Sequence, residues 1–255
     1  MPPIIIPAAP VGPTALTAVR HGQSTANAAF AQAVATGALT VPITERDADL
    51  PLTDLGRAQA ADLGRRLAGR PPQLVYCSPY LRTRDTLAIA LASAHEHGAP
   101  HPSTIPVIHD ERLRDRETGA WEMLTEAALR RKYPEDIARR EHVGHYYFRP
   151  PCGENFPDVQ LRIRSVLAEA LPFATGRHLL IVAHDAIVLM LRMILDPLDE
   201  AAFLDLWTRQ GAVTNCAITR WEADPTAWPS PYRRTQAARG TLTGPERQTS
   251  AGRSL

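Results

Sequence analysis

The chain has 255 residues, a formal net charge of +1 and 44% hydrophobic residues. That length suits one large α/β domain whose core needs no staple, and the near-neutral charge argues against a nucleic-acid or membrane-surface protein. Three cysteines, Cys77, Cys152 and Cys216, are odd in number, widely spaced and free of any CxxC or Cys/His cluster. Reduced thiols in a cytoplasmic protein are therefore expected, and a zinc site is not.

Residues 1–13 carry Ile4-Ile5-Ile6 among prolines but no basic n-region and no long apolar core. They read as an N-terminal extension, neither signal peptide nor membrane span. A buried strand is expected over residues 15–19, then a helical turn and loop over 28–51. Thr53 is placed to cap a helix whose apolar face is Leu55, Ala58, Leu63 and Leu67 and which ends at Gly69. A short strand follows at 74–77, and Ser78-Pro79 is expected to open a helix reaching about residue 94, with proline in its first turn.

Further strands are expected at 105–108, 179–183 and 213–221. Helices are expected over about 121–156, 158–170, 186–195 and 199–209. Strands alternating with helices predict a mostly parallel α/β sheet covered on both faces. From Asp224 the chain is rich in Pro, Ser, Thr, Gly and Arg. The organisation expected is thus a domain over 14–222 and a disordered tail over 223–255.

The residues that suggest chemistry sit at the ends of these elements. Arg20-His21-Gly22-Gln23-Ser24 follows the first strand, and His184 ends the 179–183 strand in the same topological position. Arg82 falls in the first turn after the 74–77 strand, and Asp115 and Glu117 follow the third strand. Ligand crevices of open α/β sheets lie outside the carboxyl ends of the strands. Two histidines and two arginines, Arg20 and Arg82, are thus expected at one sheet edge. Arginine is almost the only base, Lys132 being the single lysine, and its planar fork suits phosphate.

Five ordered motifs, covering nearly all of residues 15–221, resemble the histidine phosphatase superfamily, which includes the cofactor-dependent phosphoglycerate mutases. They are Arg20-His21-Gly22-Gln23-Ser24-x-x-Asn27, Leu52-Thr53-x-x-Gly56-x-x-Gln59-Ala60, Ser78-Pro79-x-x-Arg82-Thr83, Cys152-Gly153-Glu154-Asn155 and Val182-Ala183-His184-Asp185. Three departures stand out: Gln23 where glutamate is common, Cys152 and Asn155 around Gly-Glu, and Asp185 where glycine commonly follows the histidine.

The resemblance implies a phosphoglycerate mutase-like fold and a covalent phosphohistidine at His21, then hydrolysis, with no metal and no cofactor. Arg20, Asn27, Arg82 and His184 would hold phosphate oxygens. Asp115 aligns with the family's acid, with Glu117 as the alternative. The segment Asp115-Arg116-Glu117-Thr118-Gly119-Ala120-Trp121 looks more like the phosphatase-type branch than the mutases.

The leading expectation is a metal-independent phosphomonoesterase acting on a small-molecule phosphate ester. The alternatives are a phosphoglycerate mutase and a non-catalytic phospho-ligand binding module. Residues 28–51 and 121–156 are expected to flank the pocket, with Tyr146, Tyr147 and Arg149 at its entrance or in core packing. Gln59 and Glu154 are expected to be structural, and Cys152 a bystander. Oligomeric state stays open, with a dimer compatible.

Overall fold

A computed structural model describes residues 12–196, 198–209, 213–224 and 232–238. Its frame is a six-stranded sheet in the order β3-β2-β4-β1-β5-β6. The strands are β1 (Ala15–Arg20), β2 (Leu74–Cys77), β3 (Val107–His109), β4 (His178–Ala183), β5 (Ile218–Ala223) and β6 (Tyr232–Ala238). The first four run parallel; β5 is antiparallel to β1, and β6 to β5.

β4 shows why the centre of the sheet reads as an unbroken apolar run. Leu179, Ile181 and Ala183 face one core cluster, while Leu180 and Val182 face the other. Alternating side chains of residues 179–183 meet helices on both faces, so all five are apolar, and the one polar residue of the strand, His178, stands at its start. On one face lie α2 (Asp54–Ala68) and α3 (Leu81–Glu96), contributing Leu63, Leu67, Leu87, Ala90 and Leu91. The other face is covered by α6 (Phe156–Phe173), α7 (Asp185–Leu195) and α8 (Glu200–Arg209). The remaining helices, α1 (Thr25–Thr36), α4 (Glu126–Lys132) and α5 (Pro134–Val143), stand over the carboxyl end of the sheet. No described helix is long and apolar enough to cross a membrane.

Several expectations need correction. Residues 25–36 form a full helix, because Ser24 and Asn27 make a reciprocal capping box and Gly37 closes it at φ 69°. Pro79 lies before α3 rather than in its first turn, since Tyr80 is the N-cap. The 121–156 stretch is two short helices and loops, broken by Pro134 at a helix start and Gly144 at φ 83°. Gly69 does end α2, but in the right-handed region, so no glycine-specific conformation is used.

The expected tail of 223–255 is corrected in part. Tyr232–Ala238 pairs with β5 as an edge strand, a role that backbone hydrogen bonds satisfy without apolar periodicity. Residues 225–231 and 239–255, like most of the N-terminal extension, lie outside the described residues. All three cysteines are free, with Cys77 and Cys216 buried and Cys152 exposed.

Candidate active site

Sheet register assembles the site. Arg20 pairs with Ala183 across the parallel β1/β4 ladder, and the His21 N–H continues it to the Ala183 carbonyl at 3.0 Å. His21 and His184 therefore leave adjacent strands side by side, their ring centroids 5.2 Å apart and edge to face. β2 ends beside β4, where the Ser78 N–H bonds the Val182 carbonyl at 3.0 Å. Residue 110 onward leaves β3 in the same direction, with the Asp110 N–H on the Cys77 carbonyl.

The loop carrying His21 is fixed from below. Its Gly22 N–H donates to Thr86 Oγ1 at 2.9 Å, and the Gln23 N–H to Gln59 Oε1 at 2.8 Å. Thr53, the cap of α2, donates to Gln23 Oε1 at 2.8 Å. Backbones approach so closely here that a Cβ on Gly22 would lie 2.5 Å from the Gly56 carbonyl oxygen, and one on Gly56 2.0 Å from that of Gln23. Both glycines are there for backbone-to-backbone contact. Asn215 closes the other side, donating to the His21 carbonyl at 2.7 Å.

His21 is buried, only 2% exposed, although the sequence placed it in a loop. Its Nδ1 lies 2.7 Å from the Gly22 carbonyl, which can only accept, so Nδ1 carries the proton and Nε2 the lone pair. Arg82 Nε donates to that Nε2 at 3.2 Å. Burial, then the charge of Arg82, His184 and Arg20, hold the His21 pKa well below the ordinary imidazole value. The ring is thus neutral, with Nε2 its one unprotonated nitrogen.

His184 is likewise held neutral, by burial first and Arg82 next. Its Nε2 is 2.9 Å from Ser78 Oγ, which already accepts from the Tyr80 N–H at 3.4 Å. Ser78 is thus placed to donate to Nε2, leaving the Nδ1 proton facing Asp115 Oδ2 at 3.5 Å. Nδ1 has no hydrogen bond there, so it is a donor in reserve.

The arginines occupy both sides. Arg20 gives Nη1 to the Val213 carbonyl at 2.6 Å, while its buried Nε has no partner. Arg82 reaches His21, Asp115 Oδ2 (3.5 Å) and Asp47, whose carboxylate and carbonyl both meet its guanidinium, the carboxylate at 2.8 Å. Asn27 lines the cleft, with its Oδ1 accepting from the Ser24 N–H. Arg20, His21, Asn27, Arg82, Asp115 and His184 are thus brought together at one sheet edge.

Asp115 and Glu117 both line or border this cleft, yet their surroundings differ. Asp115 faces Arg82 and His184, while Glu117 is exposed and folds its Oε1 onto the Gly119 N–H at 3.0 Å. The segment bearing Asp115 is clamped by Arg162, which donates to the carbonyls of Arg112, Arg114 and Asp115 at 2.5–3.0 Å. Glu154 anchors Arg162 through both oxygens (2.9 and 3.0 Å), pairs with Arg114 and accepts from the Glu117 N–H. These contacts draw its carboxyl below the usual range against the opposing effect of burial, the largest single influence.

Sequence reasoning missed Asp47, Arg162, Thr86 and Asn215. Arg162 sits among other charges of an amphipathic helix, and nothing local separates a backbone clamp from a solvated arginine. The aromatic trio divides: Tyr146 is core, Tyr147 is exposed, and Phe148 lines the cleft. Arg149 pairs with Asp158 on the surface. No group of three or more candidate metal ligands occurs among the described residues.

Comparison with known proteins agrees with this architecture. Residues 16–231 match the model of the histidine phosphatase superfamily (branch 1). A 2,3-bisphosphoglycerate-dependent phosphoglycerate mutase of Methylobacterium radiotolerans is 30% identical over 213 residues, covering 83% of this chain and 91% of the relative. A mycobacterial glucosyl-3-phosphoglycerate phosphatase, solved with VO3, superposes at TM-score 0.63 and 25% identity, covering 89% of this chain and 98% of that one. YhfR of Bacillus stearothermophilus shares the fold at TM-score 0.67 and 23% identity, covering 90% and 98%. The chain belongs to the histidine phosphatase superfamily.

Proposed function

We propose that this protein is a metal-independent phosphomonoesterase that works through a phosphohistidine on His21. The observation that carries the reading is the His21 tautomer: with Nδ1–H committed to the Gly22 carbonyl, Nε2 keeps the lone pair, which accepts from Arg82 Nε at 3.2 Å and would pass to phosphorus once Arg82 turns to the phosphate oxygens. Arg20, Arg82, His184 and Asn27 would hold the non-bridging oxygens and spread the charge of the transition state.

In the first step Nε2 bonds to phosphorus while the ester P–O bond breaks, and Asp115 gives its proton to the departing alcohol. In the second, water attacks the phosphohistidine, Asp115 takes the water's proton, and the P–N bond breaks to release phosphate. Asp115 is favoured over Glu117 because it faces Arg82 and His184, whereas the Glu117 carboxylate is turned onto Gly119.

The second reading, a phosphoglycerate mutase, is supported by relatives that bear that name. The test is phosphate release from phenyl phosphate and an alkyl phosphate in EDTA, by wild type, His21→Ala and Asp115→Asn. His21→Ala is expected to lose at least about 10⁴-fold in kcat/KM. Asp115→Asn is expected to slow the alkyl ester by about 10²-fold and the aryl ester far less, because a phenolate needs less protonation. Turnover surviving in His21→Ala would overturn the proposal. Phosphoglycerate interconversion primed by a bisphosphate, with little phosphate release, would establish the mutase.

A further inference from the structure

The cleft that begins at the phosphate end continues into a chamber with two apolar walls and a charged rim. One wall is α1, on which Asn27, Phe30 and Val34 stand three and four residues apart and so share a face. At 1.5 Å per residue, Val34 lies about 10 Å along the axis from Asn27. The opposite wall is Trp121, Met123, Leu129 and Phe148, three of which belong to a satellite core of their own.

The two walls are strapped together at their far end. Thr40 and Leu124 form an antiparallel bridge, the Val41 N–H donates to the Met123 carbonyl at 3.1 Å, and the Thr125 N–H to that of Leu39 at 3.3 Å. Met123 holds φ at 56°, a conformation uncommon for a residue with a side chain. Here it places a long, adaptable apolar side chain on the cleft wall.

Beyond the phosphate end the described lining holds Glu117, Glu122 and Glu126 against Arg116 and Arg140, with His145 beside them, while Asp47 is paired with Arg82. Arg140 is buried with both Nη atoms on Glu126, at 3.1 and 2.6 Å, and Arg116 lies over the Phe156 ring at 4.6 Å. Burial, then the Asp47 and Glu117 carboxylates, push the Glu122 carboxyl above its usual range. A second anion on the substrate would meet carboxylates here.

We infer, resting on the phosphatase reading, that the substrates are phosphomonoesters of uncharged, predominantly apolar alcohols, selected by Phe30, Val34 and Met123, and that carboxylate-bearing alcohols are disfavoured. Apolar burial of the alcohol chain supplies the preference.

The test compares n-hexyl phosphate with ethyl phosphate, esters of equal leaving-group chemistry, and with 3-phosphoglycerate. Wild type is expected to favour n-hexyl phosphate by at least about tenfold in kcat/KM over each. In Phe30→Ser the hexyl-to-ethyl ratio should fall at least about threefold. A ratio near one in wild type, or faster turnover of 3-phosphoglycerate, overturns this inference while His21-dependent hydrolysis keeps the phosphatase reading. If no ester is hydrolysed yet n-hexylphosphonate binds at least about tenfold tighter than ethylphosphonate, the phosphatase reading falls and the chamber's preference stands. Equal binding without hydrolysis overturns both.

Discussion

The two ends of the cleft are built differently. The phosphate end is made of residues at strand termini and first helical turns, and His21, Ser78, Arg82 and His184 are all buried there. The alcohol end is made of α1, short helices and loops, joined by one isolated bridge and a few hydrogen bonds. On the proposed function, phosphate is the invariant part of the substrate, so its binder can be locked into sheet register. The alcohol would vary, and the residues that would meet it sit on segments whose change leaves the sheet intact.

The sharpest way to break this contrast is at Arg82, which touches His21, Asp115 and Asp47. Arg82→Lys keeps the charge but loses the fork that serves these partners together. A loss of about 10²–10³ in kcat is expected, with thermal stability changed by only a few degrees. Loss confined to KM would show that Arg82 binds ground state and transition state alike.

Acid should act on the sheet half first, because His21, His178 and His184 are all held below the ordinary histidine pKa, each chiefly by burial. His178, sunk to about 4, sits between Thr17 Oγ1 at 2.8 Å and the Pro71 carbonyl at 3.2 Å. A depressed histidine pKa means that the unfolded chain binds more protons below about pH 6.5. Stability should therefore be flat near pH 8 and fall as pH drops from about 6.5 toward 4, by up to about 4 kcal/mol per unit if all three sites contribute. Urea unfolding at pH 7.5, 6 and 5 measures this, and His178→Gln should remove about a third of the slope. A pH-independent midpoint across that range would contradict burial of neutral rings.

Glu154 tests whether the acid is positioned from outside the cleft. Glu154→Gln leaves Arg162 without its carboxylate and loosens the clamp on residues 112–115. An expected loss of about tenfold in kcat, with KM nearly unchanged and a steeper dependence on leaving-group pKa, would place the effect on Asp115. An equal loss on aryl and alkyl esters would make Glu154 merely structural. The smallest effect is expected at Asp47, whose carboxylate pairs with Arg82 from the loop side. Asp47→Asn should tighten inhibition by inorganic phosphate by about threefold, a part-exposed ion pair being worth little. Weaker inhibition would mean that Asp47 helps orient Arg82.

Legibility followed the same division. The apolar run of β4 has one reading in any α/β protein, and the histidine after it could be placed at the sheet edge with no contact known. Alignment with the family favours Asp115 over Glu117, but two residues apart on an extended segment would point the same way, so spacing adds nothing to that preference. The turn of Glu117 onto Gly119, and the clamping of Asp115 by Arg162, give the two carboxylates different surroundings. α1 reads as a turn from sequence because half of its residues are alanine, with little side chain to mark a face, and most of the helix is only part-buried. A helix facing a cleft shows little amphipathic pattern. β6 was misread because an edge strand needs backbone partners rather than an apolar stripe.

The sequence by itself determined the family, the alternation of strands and helices, and the residue types proposed to meet phosphate. Those depend on local pattern: apolar runs, caps, and histidine or arginine immediately after a strand. Tertiary structure alone decided the tautomer of His21, the different surroundings of the two carboxylates, the entry of Asp47 against Arg82, and the apolar residues that line the chamber. These depend on contacts between residues tens to hundreds of positions apart, such as Asn215 on His21 and Arg162 on Asp115. Parallel register and helix packing set such contacts, and no local spacing encodes them.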